Sequence, residues 1–317
     1  MNNLERSIKI ALTDCLGVKP QETVLIVTDD QKIETAGLFY KYAQGYAREV
    51  TLACMVPRQN NGQEPPLAIS RMMRAVDVIF MITSKSLSHT QSRRQASASG
   101  ARIASMPGVN KDMIVRTLCA DHRAIKKSGE KLSRIVSRAN GVRITTKAGT
   151  DLSFSIKGRR ALPDHGIIPY KGGFTNLPAG EVYLAPVEGS ANGLLVIDGS
   201  IADIWPIKNP IKIAIANGFA VGVGKGQQAE ELWQIISAHG QNGLNVAEFG
   251  IGINPRAKIT GNVLEDEKVL GTIHIAFGDN SGFGGRVKVP SHQDGIVKDP
   301  NVWLDGKQLM KNGKLLI

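Results

Sequence analysis

Aromatic side chains are scarce in this 317-residue chain, at 5%, and cysteine is scarcer, at three. Cys15, Cys54 and Cys119 lie far apart in apolar segments, without the paired spacing of a zinc knuckle or a redox pair. A disulfide framework is therefore excluded, and buried free thiols are expected. No apolar run approaches the ~18 residues that a bilayer-spanning helix requires. The opening MNNLERSIKIALTDC carries charge where a signal peptide needs an uninterrupted apolar segment, so a cytoplasmic protein without a membrane partner is expected. Acidic residues are also short, 28 against 39 Lys and Arg, a net charge of +11. The excess is local: residues 93–160 hold 16 basic and 4 acidic side chains, and the remainder is near neutral at 23 against 24. That stretch lacks interleaved aromatics on which bases stack, and CADHRAIKKSGEKLSRIVSRA has the charge spacing of a solvated helix face. No nucleic-acid partner is expected.

What is present is an alternation of strand-like and helix-like segments. A single core stops growing near ~250–300 residues, so two domains are expected, 1–138 and 139–317. In the first, TVLIVTDD, EVTLACM, DVIFMIT and ARIASMP read as nearly continuous apolar strands. They are separated by the helical patterns IETAGLFYKYAQGYA, PPLAISRMMRAV and TQSRRQASASG, and a long pattern from Lys111 to Asn140 closes the domain. This predicts a parallel open α/β sandwich of Rossmann-like character. The second domain changes to period-two alternation with Asp-Gly and Asn-Gly hairpin signals in WLDGKQLMKNGKLLI, predicting a mainly antiparallel β-rich domain with one amphipathic helix at QQAEELWQIISAHG.

Several chemistries are absent. The first strand-to-helix turn, VTDDQKI, offers two aspartates where a dinucleotide fold needs glycines, and VGVGKGQQ fits neither that fingerprint nor a P-loop. No nucleotide cofactor is expected. There is no Gly-x-Ser-x-Gly elbow. A metal site has better support. In SHQDG, His292 and Asp294 point to the same side of an extended segment, and His274 sits in the apolar run GTIHIAFG. Glu181 opens a strand in LPAGEVYLAP and Glu248 lies among apolar residues in LNVAEFGIGIN, where a buried charge needs compensation. A divalent cation provides it, and so do an arginine partner or an edge position in water. Two histidines, an aspartate and two or three glutamates suit one or two ions of hard-to-borderline character.

The motifs NLPAGEVYLAPVEGS, NVAEFGIGIN, EDEKVLGTIHIAFG and SHQD resemble the thermophilic metallo-aminopeptidase family of the aminopeptidase T type across most of the second domain. The resemblance implies that Glu181, Glu248, His274, His292 and Asp294 bind two divalent cations, zinc, cobalt or manganese. It implies a hydrolase that removes N-terminal residues from peptides with a metal-activated water, with Glu248 bridging the ions, and a homodimer. Glu267 resembles a further family glutamate, expected to shuttle the proton to the leaving amine, but it lies two residues farther from the histidine than in typical members. Typical members also carry a tyrosine seven residues after the strand histidine, where this chain has Ser281, with Phe283 nearby. A related branch contains iron-dependent ring-cleaving dioxygenases acting on dihydroxypyridine, small-molecule enzymes that keep two histidines and one carboxylate. His274, His292 and Asp294 satisfy that triad equally well, with iron(II) as the ion. SLSHTQSRRQA, with His89 and Arg93, resembles a segment of this shorter branch in which the histidine sits near the substrate; a surface position at a helix start is the plain alternative. The missing phenol also motivates a third expectation, a non-catalytic binding protein that keeps the metal fold for structure.

Overall fold

The run TVLIVTD folds as strand Thr23–Asp29 at an interior position of a five-stranded parallel sheet, where β-branched residues are covered on both faces. The computed structural model describes residues 2–202 and 204–317. The sheet runs Glu49–Met55, Thr23–Asp29, Val78–Ile82, Arg102–Ser105 and Phe174–Asn176, each neighbouring pair parallel. Parallel neighbours need crossovers, supplied by helices Ile33–Ala43, Leu67–Met73 and Gln91–Ala98. Thr90 starts the last by accepting from the Arg93 amide at 3.2 Å. Leu25, Val27, Ile79, Met81, Ile103 and Met73 are buried together in the core.

The predicted pattern from Lys111 to Asn140 is two helices, Lys111–Thr117 and His122–Val136. Asp121 divides them, its carboxylate accepting the amides of Arg123 and Ala124 at 3.0 Å each. Of the cysteines expected to be buried, Cys15 is, Cys119 is half-buried and Cys54 is exposed. Cys54 lies on the edge strand Glu49–Met55, much of which remains in solvent.

The chain divides into two compact units, Met1–Lys126 with Asp164–Ala179, and Lys127–Pro163 with Gly180–Ile317. The second contains an eight-stranded sheet, paired antiparallel throughout, and a five-stranded sheet. Asn217-Gly218, Asp305-Gly306 and Asn312-Gly313 all take positive φ, as the tight turns of right-twisted hairpins demand. The five-stranded sheet runs His292–Val297, Ile273–Gly278, Val246–Gly252, Glu181–Leu184 and Leu162–Asp164. It packs on the larger sheet through Phe249, whose ring meets Phe154 edge-on at 5.4 Å. Gly295 leaves room at this interface for Ile197, whose Cδ1 would lie 2.2 Å from an added Cβ. The fold is therefore mixed α/β, a parallel sheet and antiparallel sheets. Among the described residues, no helix is long and apolar enough to cross a membrane.

Candidate metal centre

In an antiparallel sheet, residues directly across the ladder share a face, and so do alternate residues along each strand. The register sets Glu248 opposite Ala276 and Ala276 opposite Asp294. Two residues along, Gly250 faces His274; beyond it Gly252 faces Glu181, and Gly278 faces His292. Glu181, Glu248, His274, His292 and Asp294 thus project from one face of four adjacent strands, with glycine and alanine between them. The opposite face carries Val182, Leu184, Phe249, Ile251, Ile273 and Ile275, all buried. Small residues are a steric requirement of the ionisable face: a Cβ on Gly250 would lie 1.9 Å from His274 Nε2. A register shift between Val246 and Glu248 re-aims the Glu248 strand.

The donor atoms converge. His274 Nε2 lies 3.2 Å from Glu248 Oε1 and 3.4 Å from Glu181 Oε2. His292 Nε2 lies 3.3 Å from Glu248 Oε2 and 3.5 Å from Asp294 Oδ1. Ligand atoms ~2.1 Å from a common ion at ordinary coordination angles are ~3.0–3.4 Å apart, so these spacings suit the edges of a coordination polyhedron. The Asp279 carbonyl accepts from His292 Nδ1 at 2.8 Å. A carbonyl can only accept, so Nδ1 carries the proton and Nε2 presents its lone pair to the carboxylates in the neutral ring. His274 Nδ1 is buried with no hydrogen-bond partner among the described residues.

Electrostatics point the same way. Burial opposes protonation of His274, but the Glu248 hydrogen bond and the charges of Glu181, Glu248 and Asp294 outweigh it, pushing the imidazole up to about 9. His292 is likewise raised against burial by Asp294 and Glu248. Burial would raise Glu248, but hydrogen bonds from the two imidazoles hold it well below the usual carboxylate range. With only protein charges present, the carboxylates draw protons onto both histidines. The cluster is built to hold positive charge, and its mixed imidazole and carboxylate donors fit a divalent ion.

Two triples of donors each gather within 4.8 Å: Glu248, His292 and Asp294, and Glu181, Glu267 and His274. All six sequence-derived residues of the second unit therefore meet. Glu267 closes the short helix Val263–Asp266 as its C-cap. Burial raises its carboxyl to about 8; Lys268 opposes this, and Glu181 and Asp294 add to it. His89 belongs to the first unit, an exposed residue just ahead of the Thr90 cap. Ser281, at the position of the expected tyrosine, is exposed and bonds to the Asp279 carboxylate at 3.1 Å. Phe283 instead stands edge-on to the His292 ring at 5.9 Å and to Tyr183 at 5.6 Å. One participant was missed altogether. Lys268, fully buried, donates from Nζ to Glu181 Oε1 at 2.6 Å and to Glu267 Oε1. Its only signal in the sequence is a lysine following a glutamate in EDEKVLG, a pattern typical of solvated turns.

A family model described as 2,5-dihydroxypyridine 5,6-dioxygenase (NicX) matches residues 4–317. The 2,5-dihydroxypyridine 5,6-dioxygenase of Pseudomonas putida KT2440 is 26% identical over 265 residues, covering 79% of this chain and 74% of that protein. The solved structure of 2,5-dihydroxypyridine dioxygenase from P. putida KT2440 aligns with a TM-score of 0.83 at 21% identity, over 100% of this chain and 98% of that one. Wild-type AmpT from Thermus thermophilus aligns with a TM-score of 0.74 at 15% identity, over 99% of each chain. Both share the fold. The family match and the P. putida relative overturn the expectation of an N-terminal peptidase, and with it the hydrolase assignment. A fold shared with both solved structures does not by itself separate peptidase from dioxygenase chemistry.

Proposed function

Because this chain belongs to the 2,5-dihydroxypyridine 5,6-dioxygenase family, we propose that it is a mononuclear non-haem iron(II) dioxygenase that opens a dihydroxypyridine ring. His274, His292 and Asp294 would hold the ion, and the Glu248 carboxylate lies between the two imidazoles. The observation that carries this reading is the convergence of two imidazoles and a carboxylate on one sheet face in a chain that matches this family from end to end. Two histidines and one carboxylate are the donor set of oxygen-activating iron enzymes that leave positions open for substrate and O₂.

Bound iron(II) would supply the electron transfer that lets O₂ react with a closed-shell aromatic ring. The chain's own residues do the rest. The Asp279 carbonyl fixes the His292 tautomer, so that Nε2 is the donor to the ion. Gly250 leaves the volume that the His274 imidazole fills. Phe283 and Tyr183 form an aromatic wall beside His292, against which a planar heteroaromatic ring can pack edge-on or offset. The Glu267 carboxyl, titrating near neutrality at about 8, can take or return the proton of a ring hydroxyl.

The test is oxygen uptake by anaerobically iron-loaded protein given 2,5-dihydroxypyridine. One O₂ consumed per ring lost, with no turnover in zinc-loaded protein, is the expected result. Folded, iron-replete protein that leaves the ring absorbance unchanged would refute the proposal.

A further inference from the structure

The two donor triples are chemically unequal. In the triple of Glu248, His292 and Asp294, with His274 beside it, the donor atoms face one another 3.2–3.5 Å apart. Around Glu181, Glu267 and His274 a cation is already in place. The Lys268 ammonium is 2.6 Å from Glu181 Oε1, bonds to Glu267 Oε1, and has no solvent exposure. Nor is it free to leave. Its amide donates to the Glu265 carbonyl at 2.9 Å and its carbonyl accepts from the Asn254 amide at 2.8 Å, so the backbone is tied on both sides.

An ion ligated by Glu181 Oε1 and Glu267 Oε1 at ~2.0–2.2 Å would have to occupy the space of the ammonium or expel it from the interior. Expulsion is disfavoured, because it would have to carry the charged head of a wholly buried side chain out to water.

We propose that Lys268 occupies the place of a second metal ion, so that the scaffold holds one ion and the carboxyl groups of Glu181 and Glu267 bind the ammonium instead of a second. This rests on the reading above that places the single ion among His274, His292 and Asp294. Lys268 is thus a specificity residue for metal number, and its removal opens a second site.

The test uses Mn²⁺, counted by elemental analysis of the full-length protein and read by electron paramagnetic resonance. Wild type is expected to bind one Mn²⁺ per chain with the six-line signal of an isolated ion. Lys268→Met is expected to bind two, with the signal broadened by coupling between neighbouring ions, and Lys268→Arg to return to one. Should Lys268→Met fail to fold by circular dichroism, the neutral polar Lys268→Gln is read in the same way. Two ions in wild type, or a single ion in the folded neutral variant, would overturn the assignment. A wild type that binds one Mn²⁺ but, loaded with iron, consumes no O₂ with dihydroxypyridine would refute the dioxygenase reading and leave the role of Lys268 standing.

Discussion

His292 shows how much one side chain is asked to do. Its Nε2 faces both Glu248 and Asp294, its Nδ1 is fixed by the Asp279 carbonyl, and its ring meets Phe283. Losing an outer-shell partner of a metal ligand typically costs ~10–100-fold in affinity, so His292→Ala, which removes a ligand, should lower iron affinity by more than that. The expected outcome is less than stoichiometric iron after desalting, with unchanged circular dichroism, since the side chain lies at the rim of the cluster with 16% exposure. Iron retained at one per chain would show that the ion is held elsewhere. Glu181, Glu248, His274, His292 and Asp294 were legible as candidate donors because each is an oddity in its own segment, a histidine or glutamate in an apolar run or a His-x-Asp pair, whereas Glu267 came only from the family resemblance. Lys268 was illegible for the opposite reason. A lysine beside acidic residues in a turn is ordinary, and only the fold reveals that this one is buried between two carboxylates.

At the scale of the element, the site depends on register. Helix and strand periodicity, together with the Asp-Gly and Asn-Gly turns, made the alternating α/β unit and the hairpins readable, because those signals are local. The strand Phe174–Asn176 was not readable, since three residues in a glycine-rich stretch show no period and pair only with a strand about 70 positions earlier. Ladder register is non-local too. That Gly250 lies opposite His274 could not be read from VAEFGIG, yet this pairing explains why the strand alternates glycine with Phe249 and Ile251. Gly250→Ala tests it. The added methyl falls on the imidazole, so the strands must part or the ring must turn, and overpacking of this kind costs ~1–3 kcal/mol. Reduced metal content with a lowered urea midpoint is expected. Gly222→Ala is the control, a strand glycine whose Cβ would meet nothing within 4 Å, and should leave metal content unaltered.

For the whole molecule, the consequence is that stability, pH and metal are linked. Above pH 6.5 an unfolded histidine is neutral, whereas His274 in the metal-free fold keeps its proton up to about 9. The folded state then binds more protons than the unfolded state, so this contribution is full below 6.5 and is lost as pH rises through 9. Glu267 acts in the same direction, protonated in the fold up to about 8 but ionised in the unfolded chain above its ordinary value of 4.5. The depressed Glu248 and Asp294 have the opposite sign, but their contribution is lost only at pH values below the ordinary carboxylate range, outside this window. Metal-free protein should therefore become less stable between pH 6.5 and 9. An ion reverses the trend, because it must displace the imidazole protons to bind, and its affinity climbs by up to about tenfold per displaced proton for each pH unit. An ion at 100 times its dissociation constant stabilises the fold by ~2.7 kcal/mol, and each further tenfold in affinity adds ~1.4 kcal/mol. The rise in melting temperature caused by a fixed excess of Mn²⁺ should thus widen steadily from pH 6.5 to 9, measured by anaerobic scanning calorimetry with and without chelator. A shift that stayed constant or narrowed over that range would mean that neither imidazole exchanges a proton for the ion, and the pairing of His274 and His292 around one metal would fail with it.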